Sequence, residues 1–72
     1  MTKKQWIMEI EHLLKKDETN NLKGIEYIIE PNGEEFALIR FEGAYGNSAH
    51  EKCITANSKA ATLLAITEAV YF

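Results

Sequence analysis

The last thirteen residues, Ala60 to Phe72, carry one charge, Glu68. A helix covering one face of a small domain needs an apolar stripe and a polar back, and this segment lacks most of the back. It therefore has to be covered on more than one side, by its own chain or by a second molecule. A chain of 72 residues forms one domain, spanning 1–72, near the lower size limit for a single unstapled core. Any further burial through association is then energetically significant.

Periodicity orders the rest. Thr2 and Gln5 make a capping-box pattern. Trp6, Ile7, Ile10, Leu13 and Leu14 follow as one helical stripe over about residues 3–16. Met8 falls on the opposite side and is expected exposed. The segment 25–29 is β-branched and aromatic, and it leads into Pro31-Asn32-Gly33. That triplet suits a type I turn closed by a left-handed glycine with a bulge. The turn pairs Tyr27 with Ala37 and Ile25 with Ile39. One face then carries Ile25, Tyr27, Ile29, Ala37, Ile39 and Phe41, and the other carries Ile28, Phe36 and Leu38 among charges. A third strand is expected over about 50–55, after a glycine-bearing loop around Tyr45. Asn57 or Thr55 should cap the second helix, whose apolar side is read as Ala60, Leu63, Leu64, Ile66, Val70 and Tyr71. Leu63 and Leu64 are expected to be almost fully buried. The order α-β-β-β-α defines an α+β two-layer sandwich with both helices on one face of an antiparallel sheet.

Charge and cysteine content exclude several functions. The net charge is −3 and its distribution is uneven: residues 17–51 hold eight acids and two bases, while residues 1–16 hold four lysines and two glutamates. An acidic centre is the wrong sign for phosphate, so nucleic-acid binding is not expected. The single cysteine, Cys53, excludes an internal disulfide. With no secretory pattern at the start, it suggests a reducing, cytoplasmic setting. No segment is apolar for the roughly 20 residues a membrane span needs.

No catalytic, metal or cofactor site can be assembled. On a strand, His50 and Cys53 point to opposite faces and cannot share an ion. His50 is read as a surface residue and Cys53 as a small buried one. Glu34 and Glu35 belong to a solvated turn. Residues 43–47 lack the spacing of a phosphate-binding loop.

The element order and the length are similar to those of the double-stranded-RNA-binding domain. That family grips phosphates with a lysine-rich opening of its second helix. The matching stretch here, Asn57-Ser58-Lys59-Ala60-Ala61, has one lysine. The resemblance implies a fold and not that activity.

The sequence thus points to a small non-enzymatic accessory protein that binds protein, in the first place itself, as a homodimer. Ile66, Val70 and Phe72, or the outer sheet residues Ile28, Phe36 and Leu38, with Tyr45, are the expected interface. The alternatives are an acidic inhibitor that mimics nucleic acid toward a basic groove and a weak double-stranded nucleic-acid-binding module.

Overall fold

Thr2 starts the first helix by reciprocal capping. Its hydroxyl accepts the Gln5 N–H (3.2 Å), and the Gln5 side-chain oxygen accepts the Thr2 N–H (2.7 Å). In the computed structural model, which describes residues 1–42 and 49–71, this helix is α1, Lys3–Lys15. It is followed by β1 (Leu22–Ile29), β2 (Glu35–Glu42), β3 (Ala49–Thr55) and α2 (Lys59–Tyr71). The strands form one antiparallel sheet in the order β1-β2-β3, and both helices lie on one of its faces. The fold is the expected α+β sandwich. Tyr45 and Phe72 lie outside the described residues.

Asn20 joins two elements. Its amide nitrogen donates to the Leu14 carbonyl (2.7 Å), which also accepts the Asp17 N–H (3.1 Å) at the end of α1, and its oxygen accepts the Leu22 N–H (3.0 Å) where β1 begins. The β1–β2 turn is the bulged one. Gly33 has φ +89°, the Glu30 N–H donates to the Glu34 carbonyl (2.8 Å), and the Gly33 N–H donates to the Glu30 carbonyl (2.9 Å). Tyr27 consequently faces Ala37, and Ile25 faces Ile39. A shift of one residue would have put the opposite faces on the core.

The core lies between the layers. Trp6, Ile7, Ile10 and Leu14 of α1 meet Ile25, Ala37, Ile39 and Ile54 of the sheet, with Ile66 and Val70 of α2. Two expectations for α1 change. Leu13 is 57% exposed, because the buried stripe is narrower than the sequence stripe. Met8, expected on the solvent side, packs against the core.

α2 differs most from expectation. Its buried stripe is Thr62, Ile66 and Val70, spaced four apart. Leu63 is half-buried, and Leu64 is 63% exposed. Leu64 stands about 160° around the wheel from Ile66, so packing Ile66 on the sheet turns Leu64 outward. The cap is Ser58, not Asn57 or Thr55. Its hydroxyl accepts the Ala61 N–H (3.2 Å) and its carbonyl accepts the Thr62 N–H (2.9 Å).

The helices run side by side in the same direction. The start of α2 lies beside the middle of α1, where Lys59 Nζ meets Glu9 Oε1 at 3.1 Å. Near their ends the Tyr71 hydroxyl donates to Asp17 Oδ2 (2.5 Å), and the Asn21 N–H donates to the Val70 carbonyl (3.2 Å).

Candidate self-association surface

Four surfaces of this sandwich could meet a partner: two sheet edges, the uncovered sheet face and the outward side of the helix layer. The edges are obstructed. On β1 the Ile25 N–H, which points away from β2, donates to Glu11 Oε2 at 2.6 Å. The register also shifts between Leu22 and Gly24. On β3, Lys52 lies opposite Ile39, on the helix-facing side, yet it is exposed. A charge on the inner face of an edge strand opposes strand addition. Glu11→Ala should therefore lower stability by about 1–3 kcal/mol, because it leaves a half-buried donor unpaired. Denaturant titration measures that loss, and Glu11→Gln, which keeps an acceptor, should restore part of it.

The uncovered sheet face carries Ile28, Phe36 and Leu38, all half-buried. Charged residues stand beside them, with Arg40 reaching Glu26 (3.1 Å) and Glu51 (3.9 Å). Cys53 belongs to this face, opposite Leu38. It is exposed, not the buried thiol expected from its apolar character. His50 lies on the other face, where its ring is tilted against Phe41 at 5.6 Å between centroids. Histidine and cysteine are therefore on opposite sides, as the strand spacing requires. Among the described residues no three His, Cys, Asp or Glu side chains converge as metal ligands.

The acidic block is partly neutralised by the fold. Besides the Arg40 pairs, Lys23 meets Glu42 (2.9 Å) and Lys3 meets Glu35 (3.4 Å). The lysine that opens α2, Lys59, is engaged by Glu9. Of the acids in residues 17–51, Glu26, Glu35, Glu42 and Glu51 each lie within ion-pair distance of a lysine or arginine.

The outward side of the helix layer leaves apolar surface uncovered. Leu13 and Leu64 are each more than half exposed. Between the helices runs a groove of about 230 Å³ lined by Ile10, Leu13 and Leu63, with Glu9, His12, Lys16 and Lys59 at its rim. Two residues expected at an interface do not reach it: Ile66 is 0% and Val70 1% exposed within the single chain. The apolar residue that α2 turns outward is Leu64. Leu13 and Leu64 read as core residues by their apolar character, and the fold exposes both. Glu11 and Asn20 gave no signal beyond polarity.

Two tyrosines tie distant segments through carboxylates. Tyr71 donates to Asp17, which also accepts the Thr19 hydroxyl (2.7 Å) and N–H (2.9 Å). Tyr27 donates to Glu35. The Tyr71 hydroxyl first, then Thr19, holds the Asp17 carboxyl below the ordinary value of 3.8. The Tyr27 hydroxyl first, then Lys3, holds Glu35 below 4.5. Both carboxyls are depressed in the folded chain. Their contribution is present above the unfolded values, near about pH 4, and is lost as pH falls through the lower folded values. Thermal melts should fall progressively over that acid window. Tyr71→Phe should shrink the acid dependence by removing the Asp17 share.

Compared with protein-family models, with curated proteins and with solved structures, the chain matches none. Among the described residues no helix is long and apolar enough to cross a membrane.

Proposed function

We propose that the chain is a small non-enzymatic protein-binding domain, an accessory or regulatory element whose first partner is a second copy of itself. The exposure of Leu13 and Leu64 on the outward side of the helix layer carries this reading. Isolated exposed leucines are ordinary on a soluble protein. Leu13 lines a groove with Ile10 and Leu63, and Leu64 follows Leu63 on α2, in a chain whose small size makes each buried apolar area count. The obstruction of both sheet edges supports association through a face instead of through strand addition.

Sedimentation of the pure chain at high micromolar concentration tests the reading. The expected result is a dimer, and Leu64→Lys should return a folded monomer because Leu64 adds nothing to the chain's own core. A monomeric wild-type chain at that concentration would overturn the reading.

A further inference from the structure

We infer that the two copies join helix layer to helix layer about a two-fold axis passing between His12 and Leu13, so that Glu9 of each copy faces Lys16 of the other. This inference rests on the self-association proposed above and adds the geometry and the recognition chemistry.

Glu9, His12, Leu13 and Lys16 are all exposed and all line the groove. Their spacing of three, four and seven puts them on one strip of α1, about two turns long. The charges stand at opposite ends of that strip and are equally distant from its midpoint. When an identical strip is laid antiparallel over it, each Glu9 falls level with a Lys16, and the apolar centres coincide. A parallel arrangement would set Glu9 on Glu9 and Lys16 on Lys16. The strip is complementary to itself in the antiparallel sense only.

α2 agrees with the same axis. Lys59 is level with Glu9, and Tyr71 is level with Asp17. The middle of α2 is therefore level with His12 and Leu13, and Leu64 sits there, exposed. A two-fold that centres α1 on α1 thus brings Leu64 against Leu64 of the second copy. One operation covers both exposed leucines. It also opposes the helix dipoles. Within one copy α1 and α2 point the same way, so their C-terminal ends lie together; an antiparallel copy brings the N-terminal end of its α2 to meet the C-terminal end of α2, while α1 overlaps its counterpart over about residues 9–16.

Charge reversal with mixing tests the geometry. One variant is Lys16→Glu. The other is the double substitution Glu9→Lys with Lys59→Glu, which keeps the pair within the chain with its sign reversed. Each variant alone opposes like charges at both ends of the axis. Its self-association, followed by sedimentation at low salt, should weaken by about tenfold. An equimolar mixture of the two should recover a heterodimer of near wild-type affinity, because opposite charges then meet at both ends. Circular dichroism of each variant verifies the fold, and recovery in the mixture independently requires that both chains be folded. A dimeric wild type whose variants associate unchanged, or whose mixture does not recover, would overturn this geometry and leave self-association standing. A monomeric wild type would remove both.

Discussion

Ile66→Ala should destabilise the chain by about 2–5 kcal/mol. At about 0.05–0.15 kcal/mol per residue, a chain of 72 residues holds only about 4–11 kcal/mol in total. The substitution should therefore remove a large share of the stability, and nearly all of it if the total lies at the low end of that range. Ile66 is completely buried, at the centre of the only α2 stripe that faces the sheet. Leu64→Ala, two residues away, should change the stability of the single chain by no more than about 0.5 kcal/mol. Denaturant titrations of the two variants at low protein concentration make the comparison. Equal losses would mean that α2 is rotated differently from the arrangement described above.

Thr62→Val should have the opposite sign. Thr62 is 1% exposed, and its hydroxyl finds no hydrogen-bond partner. An unpaired hydroxyl buried this way costs about 1–3 kcal/mol relative to leaving it in water. Valine keeps the branched shape, has a similar helix propensity and removes the polar atom. The expected gain is about 1–2 kcal/mol, which for a domain of this size raises the melting temperature by roughly 4–8 °C per kcal/mol. An unchanged or lower melting temperature would show that the hydroxyl is satisfied.

Those two substitutions show where sequence reading stops. In α1 a polar side and a strong apolar side coexist, so most of the buried face is legible: Trp6, Ile7, Ile10 and Leu14 face the core, while Leu13 turns outward and Met8 packs inward. In the hairpin, proline, asparagine and glycine allow few backbone solutions. Gly33 fixed the bulge and with it every pair from Ile25–Ile39 to Ile29–Glu35. α2 has neither constraint. Apolar or alanine side chains surround most of it, so rotating the helix changes little in its hydrophobic match to the sheet. Side-chain shape against the strands then decides, and it places threonine, isoleucine and valine inward with a leucine outward.

Local chemistry determined the element order, the cap at Thr2, the turn at Gly33 and the β1–β2 register, because each depends on neighbours a few residues apart. The tertiary structure decided which way α2 faces, that Glu11 closes an edge of the sheet, and that Leu13 and Leu64 share the outer surface. Each of these is a relation between segments far apart in the chain. It is settled by shape and by the competition for buried surface, which no local pattern encodes.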